Sequence, residues 1–320
     1  MKTLRSKVSI IRDDNVVLTV IERHYSSDES IKYAFQDIAG RQFESIFFKF
    51  SAQNKVPYFI CISSQAGCAM GCKFCATGYG GFFENLSADK MMAEVDIIHE
   101  EMIQTITEGS KTPFNIILMG MGEPLMNYNN VVEFFYKSRE KFPFLNKIFI
   151  STVGIANRII QLGDLGSLLN LKLYVSVHSP YNEERIKIMP VTKKYNIEAV
   201  IAACKNFSEK TNTRVKAAYL LLKDFNDTTQ HAKDFAKLLD PNYFEAQILL
   251  YNATPSLPFE RVSDEFAYEF ANILANHGIE TEVKISKGRD VNGGCGQLVK
   301  QIKEKTANRV LTPIQVNRRS

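Results

Sequence analysis

The chain has 320 residues, of which 45% are hydrophobic and 23% charged, and its net charge is +4. The first residues include basic side chains but lack the apolar run of a secretory leader, and no segment reaches the roughly 18 apolar residues that a membrane span requires. These features favour a cytoplasmic globular protein without a membrane partner. In that compartment, clustered cysteines indicate metal binding or catalysis rather than disulfides.

Residues 1–50 are predicted to form a small β-rich N-terminal extension. The runs "VSII" and "VVLTVIER" flank the turn residues "RDDN", a pattern typical of a hairpin, and the mixed segment "YAFQDIAGRQFESIFFKF" follows. The core domain is expected over residues 51–298 and a basic tail over 299–320. From residue 284 onward nine basic residues stand against two acidic ones, so this end carries +7 and the rest about −3. Such asymmetry indicates either contact with a polyanion or a solvated helix with a loose tail.

Seven apolar runs after the extension predict strands, with helical stretches between them. The runs are "YFICISSQ", "FNIILMGMG", "KIFISTVG", "LKLYVSVHS", "RVKAAYLLL", "AQILLYN" and "ETEVKIS". The first connecting helix is predicted over "SADKMMAEVDIIHEEMIQTITEG", with Ser87 as its N-cap and Gly109 as its end. This alternation favours an α/β fold of parallel βα units, and the nearly continuous hydrophobicity of several strands indicates cover on both faces.

Polar and reactive residues collect where these predicted strands end. Gly120 to Glu123, Ser151, Ser176 and Asn252 are examples. Active sites of βα barrels form at the carboxyl ends of the strands, so the sequence predicts one site fed by several loops.

Three cysteines form a C-x3-C-x2-C pattern on the loop after the first core strand: Cys68, Cys72 and Cys75. Glycines in the same loop would let the backbone wrap closely around a ligand. Three thiolates can hold three irons of a [4Fe-4S] cluster and leave the fourth iron open for a small molecule. A structural zinc site is the alternative, and it would need a fourth protein ligand.

This spacing resembles the signature of the radical S-adenosylmethionine enzymes, as does the aromatic Phe74 before the last cysteine. The resemblance implies a partial (β/α)6 barrel, a [4Fe-4S] cluster held by the three cysteines, and S-adenosylmethionine on the open iron. An electron donor such as flavodoxin would reduce the cluster. Cleavage of the sulfonium would then release a 5′-deoxyadenosyl radical, which the protein directs.

The same resemblance implies positions for the S-adenosylmethionine contacts. In "MGMGEP", Gly122 would allow close approach of the backbone, and Glu123 would hold the methionyl amine. Further contacts are implied at other strand ends, at Ser151, Ser176, Val177, His178 and Asn252. Each of these, taken alone, is more simply explained as an ordinary buried residue, but together they fit contacts to the ribose and the carboxylate.

Several motifs in chain order resemble those of one family, RlmN/Cfr. They are "CISSQAGCAMGCKFCATG", "MGMGEPL", "ISTVGI", "SVHSPYNEERIKIMP", "LLLKDFND", "LLYNATP" and "GGCGQL". Enzymes of this family methylate carbon 2 or carbon 8 of an adenosine in 23S ribosomal RNA, or carbon 2 of certain tRNA adenosines. The wording of "KFCATG" and "HSPYNEERIKIMP" favours the Cfr side, which modifies carbon 8.

The resemblance also implies roles for two further thiols. Cys295 would take a methyl group from one S-adenosylmethionine by displacement on its thiolate. A radical from a second S-adenosylmethionine would remove hydrogen from this S-methyl group, and the carbon would add to the adenine ring. Glu44 would accept the ring proton, unless it is a solvent-facing strand residue, and Cys61 would release the product by forming a disulfide with Cys295. Cys204, in "VIAACKNF", is predicted to be a buried apolar residue.

Two departures from the family concern substrate recognition. Family members carry a longer N-terminal region with a helical RNA-binding domain, and they typically have "DIDAAC" where this chain has "GRDVNGGC". One alternative therefore keeps the two-cysteine mechanism but acts on a small heteroaromatic molecule or a peptide. Another is a non-catalytic RNA-binding module with a structural zinc.

Overall fold

The computed structural model describes residues 2–4, 8–12, 16–50, 56–106, 109–253, 257–294 and 297–298. The described strands, in chain order, are β1 (Lys2–Leu4), β2 (Val8–Arg12), β3 (Val16–Tyr25), β4 (Ile31–Asp37), β5 (Gln42–Lys49), β6 (Tyr58–Cys61), β7 (Gln65–Gly67), β8 (Phe82–Asn85), β9 (Phe114–Leu118), β10 (Leu145–Thr152), β11 (Leu171–Ser176), β12 (Val215–Leu221), β13 (Phe244–Leu250) and β14 (Thr281–Lys284). The described α-helices are α1 (Ala76–Gly80), α2 (Ala88–Thr105), α3 (Tyr128–Lys141), α4 (Ala156–Gly166), α5 (Asn182–Ile188), α6 (Ile197–Thr211), α7 (Thr229–Leu238) and α8 (Asp264–Asn276). Short 3-10 turns cover Gly109–Lys111, Pro124–Asn127, Pro190–Lys193 and Arg289–Val291.

One large sheet organises the molecule. Its strand order is β1-β3-β4-β5-β6-β9-β10-β11-β12-β13-β14, with β2 paired to β3, and β7 and β8 form a separate pair. From β6 to β14 all neighbours run parallel, and a helix connects each strand to the next. Residues of all seven strands line a common lumen. The predicted partial (β/α)6 barrel is therefore confirmed, with β14 as an additional parallel strand.

The burial of side chains along each strand shows which of them face the lumen and which face the helices. β9 is buried throughout, as expected for a strand covered on both faces. β11 instead alternates: Leu171, Leu173 and Val175 are buried, while Tyr174 and Ser176 are half-buried and face the lumen. The lumen side is thus only partly covered, which leaves room for ligands inside the barrel.

The N-terminal strands continue the barrel sheet. The predicted hairpin is confirmed, because β2 and β3 pair antiparallel, and its turn at 13–15 lies outside the described residues. β3, β4 and β5 then pair in antiparallel order. β5 in turn pairs antiparallel with β6, and Ile46 lies opposite Cys61. The extension is therefore hydrogen-bonded directly to the first barrel strand.

The longest helix begins as the sequence predicts. The Ser87 side chain accepts a hydrogen bond from the Lys90 N–H at 3.2 Å, which caps α2. The helix ends at Thr105 rather than at Gly109, which has φ +61° and begins a 3-10 turn. Across the described part of the chain, no helix is both long and apolar enough to cross a membrane.

Candidate active site

The carboxyl ends of the barrel strands surround one cavity, here called the strand-end cavity. Its wall includes most of the predicted cofactor residues: Cys68, Cys72, Cys75, Gly122, Glu123, Ser151, Ser176, His178 and Asn252. Val177 is the exception, because its side chain is fully buried and does not line the cavity. Residues predicted from five separate segments of the sequence are thus adjacent in the fold.

The loop that carries the three cysteines depends on glycine. Gly67 has φ +79°, and a Cβ atom there would lie 2.0 Å from the carbonyl oxygen of Gly81. The Cys68 N–H donates to that same oxygen at 2.8 Å, which closes the loop onto the segment that precedes β8. A Cβ at Gly78 would meet the Cys72 carbonyl oxygen at 2.9 Å. The backbone of residues 67–81 therefore folds tightly around the thiols.

Burial controls the protonation of two of these thiols. It raises the pKa of Cys68 to about 12 and that of Cys72 well above its ordinary value, and the neighbouring thiols act in the same direction. Without a metal, Cys68 and Cys72 are therefore neutral at physiological pH, and metal binding would release their protons.

The donor set fits a cluster better than a single ion. In the portion of the chain that the structure describes, no three metal-ligating side chains are arranged to hold one metal ion. A [4Fe-4S] cluster makes a different demand, because each cysteine binds a separate iron. Cys68, Cys72 and Cys75 line one cavity and could hold three irons of such a cluster, with Glu123 in the same wall.

Hydrogen bonds hold Glu123 on the loop after β9, where it precedes the 3-10 turn Pro124–Asn127. Its carboxylate accepts hydrogen bonds from the Leu125 N–H at 3.0 Å and the Val153 N–H at 2.8 Å. Its own N–H donates to the Gln65 side chain at 2.9 Å. Burial raises the pKa of Glu123 to about 7, so a cationic or amine ligand would favour the carboxylate form. Gly122, at φ +101°, has no room for a Cβ, because that atom would lie 2.6 Å from Gln65 Cβ.

His178 is neutral in this site. Its φ of +58° lies in the left-handed region, and its Nδ1 accepts a hydrogen bond from the Leu220 N–H at 3.0 Å. The ring proton therefore belongs on Nε2. Burial, with the nearby Arg185 charge, lowers the pKa of His178 to about 3. The ring of Phe74 packs edge-on against it, with 4.9 Å between centroids.

A second, smaller cavity adjoins the first and is here called the Cys61 cavity. Its wall includes Cys61, Ile46, Phe48, Lys284 and Gly294. The two cavities share Met119, Lys284 and Ser286. A group at Cys61 would therefore be close to a ligand in the strand-end cavity.

Glu44 lies on the same side of β5 as the Cys61 cavity. Side chains alternate along a strand, so Glu44 shares a face with Ile46 and Phe48, which line that cavity. The Glu44 side chain is buried rather than solvent-facing, and its Oε1 lies 3.2 Å from the Lys32 ammonium. It does not itself belong to the cavity wall.

Cys295 lies outside the described residues, as does the basic tail 299–320. Gly294, directly before it, is described, and so are Gln297 and Leu298 two and three residues after it. Gly294 and Leu298 both line the Cys61 cavity. The Gly294 N–H donates to the Gln297 side chain at 3.0 Å, and a Cβ at Gly294 would meet Asn252 Nδ2 at 2.8 Å.

Sequence reasoning missed several residues around the site. Lys284 lines both cavities, although "ETEVKIS" gave no sign that this lysine faces the lumen. Gln65 supports Glu123 through its side chain, and Lys32 pairs with Glu44. Strand alternation could have placed Lys284 and Lys32 on inward faces, but only once the strand pairing was known. Cys204 is fully buried in α6, as predicted.

Comparison with known proteins agrees with this geometry. The model of the radical SAM superfamily matches residues 62–239. A "Probable dual-specificity RNA methyltransferase RlmN" of Pseudothermotoga lettingae is 36% identical over 282 residues, which cover 87% of this chain and 78% of that protein. A protein of the same description from Clostridioides difficile is 34% identical over 305 residues, covering 94% and 85%.

Solved structures give the same result. A radical SAM methyltransferase from Sphaerobacter thermophilus matches with a TM-score of 0.81 and 33% identity, covering 88% of this chain and 81% of that one. Streptococcus suis SuiB bound to S-adenosylmethionine, at 12% identity and a TM-score of 0.51 over 71% of this chain and 50% of its own, shares the fold alone. The chain therefore belongs to the radical S-adenosylmethionine superfamily and, within it, to the RlmN/Cfr family, which implies a [4Fe-4S] cluster and S-adenosylmethionine as its cofactors.

Proposed function

We propose that this enzyme methylates an sp2 carbon of an adenosine in RNA, at carbon 2 or carbon 8, through a methyl-cysteine intermediate and two S-adenosylmethionine molecules. The substrate class is 23S ribosomal RNA or tRNA, and the reaction takes place in the cytoplasm. The observation that carries the proposal is the wall shared by the two cavities. It places Cys61 and the residues flanking Cys295 beside the strand-end cavity.

The strand-end cavity serves as the cofactor site in this proposal. Cys68, Cys72 and Cys75 hold the cluster, and Glu123 receives the methionyl amine. Bound there, the cofactors supply hydrogen abstraction and take up the electron that the substrate adduct gives up. Ser151, Ser176, His178 and Asn252 contact the rest of S-adenosylmethionine, and Val177 contributes through its backbone alone.

Three residues carry the remaining chemistry. The Cys295 thiolate displaces the methyl group of the first S-adenosylmethionine and keeps it as a thioether. After hydrogen abstraction the carbon forms a bond to the adenine ring, so the RNA is tethered to Cys295. Glu44 then takes the ring proton. The Cys61 thiolate attacks the Cys295 sulfur and forms the disulfide. The bond between that sulfur and the methylene carbon breaks, and this carbon takes up one proton to become the methyl group of the released base.

The common lumen of the barrel strands offers contacts for an adenine base that is flipped out of an RNA helix. Phe59, Phe149 and Tyr174 line it, together with Lys147. Aromatic faces suit stacking of a flipped or single-stranded base, and the Lys147 ammonium suits a phosphate oxygen. These features favour RNA over a peptide as the acceptor, and family membership removes the non-catalytic zinc module from consideration.

The first test is mass spectrometry of nucleosides from total RNA of cells with and without this protein. The proposal expects a methyladenosine, modified at carbon 2 or carbon 8, only where the protein is present. Unchanged nucleosides in ribosomal and transfer RNA would contradict RNA as the substrate.

The second test uses purified enzyme with its cluster. Cys295→Ala should abolish methyl transfer and keep the cluster, whereas Cys61→Ala should accumulate RNA covalently bound to protein. Cys204→Ala is the matched control, since this thiol lies buried in α6 and should be dispensable. Normal turnover by Cys295→Ala would refute the methyl-cysteine route.

A further inference from the structure

Arg185 is the largest fully buried charged side chain of the described residues. It lies in α5, on the segment that follows β11. Its Nη1 donates to the carbonyl oxygens of Ser176, at 3.1 Å, and Val177. Its Nε and Nη2 atoms are buried and have no hydrogen-bond partner among the described residues. Two nitrogen atoms of this guanidinium therefore carry N–H groups that no described residue accepts.

A buried guanidinium with unpaired N–H groups destabilises the folded protein unless an anion accepts those hydrogen bonds. Buried polar groups are nearly always hydrogen-bonded, and a buried charge without a partner costs several kcal/mol. Burial lowers the pKa of Arg185 to about 10, so the side chain remains a cation at neutral pH. Glu198, the one carboxylate that influences it, is exposed and bonded to Asn182. Cys204 is nearby, but burial keeps that thiol neutral by raising its pKa.

The cysteine loop lies directly against this helix. The Lys73 N–H donates to the Ile188 carbonyl oxygen at 2.8 Å, and Ile188 packs in one apolar cluster with Cys72. Arg185 does not line the strand-end cavity. It therefore lies behind the cavity wall, on the same helix as Ile188, and would not contact S-adenosylmethionine bound in the cavity.

We propose that Arg185 is the buried counter-charge of the iron-sulfur cluster, with its unpartnered N–H groups donating toward the Cys72 sulfur or an adjacent cluster sulfide. Three thiolates and a [4Fe-4S] core in its oxidised 2+ state sum to one negative charge, and reduction adds a second. A fixed cation stabilises the more negative state, so Arg185 raises the reduction potential of the cluster. The proposal rests on the cluster that the family implies and is independent of the RNA substrate.

The decisive experiment measures the midpoint potential of the reconstituted cluster by dye-mediated titration with electron paramagnetic resonance, without RNA. Arg185→Gln and Arg185→Met should give a lower potential than the wild type at equal iron and sulfide content, and Arg185→Lys an intermediate one. The matched control is Arg139→Gln, because Arg139 also donates to carbonyl oxygens, at Leu145 and Leu169, but at the opposite end of the strands. An unchanged potential in loaded neutral variants overturns the proposal.

Loading and spectroscopy cover the remaining outcomes. If the neutral variants fold without a cluster while Arg185→Lys binds one, the charge is required and the proposal stands. If none of the three variants binds a cluster, Arg185 acts only as a structural link between α5 and β11, and the proposal is overturned. A second measurement uses wild-type protein labelled with 15N-arginine and needs no substitution. Electron-nuclear double resonance of the reduced cluster should show coupling to a nearby arginine nitrogen, and absence of this coupling overturns the proposal. Neither measurement involves methyl transfer, so failure of the proposed function would leave both unaffected.

Discussion

The ion pair between Lys32 and Glu44 is the clearest case in which one side chain controls another near the site. Both side chains are buried, and the two charged atoms are 3.2 Å apart. The Lys32 ammonium also lies 3.5 Å from the carbonyl oxygen of Asn292, just before the glycines that precede Cys295. Desolvation makes a buried ion pair a poor source of stability. A positioning role, in which Lys32 holds Glu44 ready to accept the ring proton, explains it better.

We expect Lys32→Gln to slow release of the methylated product roughly 10- to 100-fold, within the range of general-base effects. Methylation of Cys295 should be unchanged, so the protein-RNA adduct should accumulate, and Glu44→Gln is expected to show the same accumulation. Denaturing gels of the adduct and mass spectrometry of the methylated cysteine measure both steps. Lys90→Gln is the control, because Lys90 also pairs with acidic side chains, Asp37 and Glu84, away from both cavities. Wild-type release by Lys32→Gln would contradict the positioning role.

Among single residues, the sequence predicted those that belong to a motif with fixed spacing. The three cysteines and the Gly-Glu-Pro motif could be recognised because the group that each motif binds fixes the number of residues between its members. Arg185 could not, since "NEERIKI" reads as an ordinary charged helix face. Only the packing of α5 against the cysteine loop shows that this one charge is buried. Lys32 was missed for the same reason, because its partner lies on a neighbouring strand.

Among the secondary-structure elements, α2 carries an unusual group on its buried face. Glu94 is completely buried between the helix and the sheet, where its Oε2 accepts hydrogen bonds from the Ser63 N–H at 3.0 Å and from the Ser45 hydroxyl. Burial raises the pKa of Glu94 to about 8. The folded protein therefore keeps this side chain protonated at neutral pH, whereas the unfolded chain ionises it near pH 4.5.

This difference predicts a pH dependence of stability. Between about pH 4.5 and 8 the unfolded state binds fewer protons at Glu94 than the folded state, so the free energy of unfolding falls as pH rises. From pH 6 to pH 8 the loss from this group is about 2 kcal/mol. Glu94→Gln should remove that loss, as measured by urea unfolding of the anaerobic protein at both pH values. Glu100→Gln, on the exposed side of the same helix, is the control. Equal pH dependence in wild type and Glu94→Gln would contradict the assignment.

Elements with strong periodicity were predicted well, and short ones were not. All seven apolar runs contain core strands near the expected positions, because β-branched and aromatic residues mark them clearly. The end of α2 was predicted four residues late, since the chain leaves the helix at Ile106, before the glycine is reached. The seven-residue helix α5 was not predicted, because its short sequence carries no periodic signal.

On the scale of the whole molecule, the N-terminal strands are tied to the segment that leads to Cys295. The turn between β3 and β4 makes three hydrogen bonds to it. The Asp28 carboxylate accepts one from the Gly288 N–H at 2.9 Å, the Ser27 N–H donates to the Asp290 carboxylate at 2.9 Å, and the Ser26 hydroxyl donates to that same carboxylate. The sequence suggested an appended extension. Pairing of β5 with β6, which no local pattern encodes, instead makes these strands part of the wall beside Cys61.

Removing a hydrogen bond between the β3–β4 turn and this segment should uncouple radical formation from methyl transfer. Asp28→Ala removes the bond to Gly288, so we expect several times less methylated product per 5′-deoxyadenosine formed, with the cluster content unchanged. Chromatography of both products gives the ratio. Asp240→Ala is the matched control, because Asp240 bonds to Asn242 within its own turn and touches no part of the site. An unchanged ratio in Asp28→Ala would show that this tie does not position the segment.

The central claim is that the methyl group rests on Cys295 and loses a hydrogen atom there before it joins the base. Turnover with S-adenosylmethionine deuterated on the methyl group tests this directly, with mass spectrometry of the modified nucleoside and of 5′-deoxyadenosine. The account predicts two deuterons in the new methyl group and one in 5′-deoxyadenosine. Three deuterons in the product would contradict it.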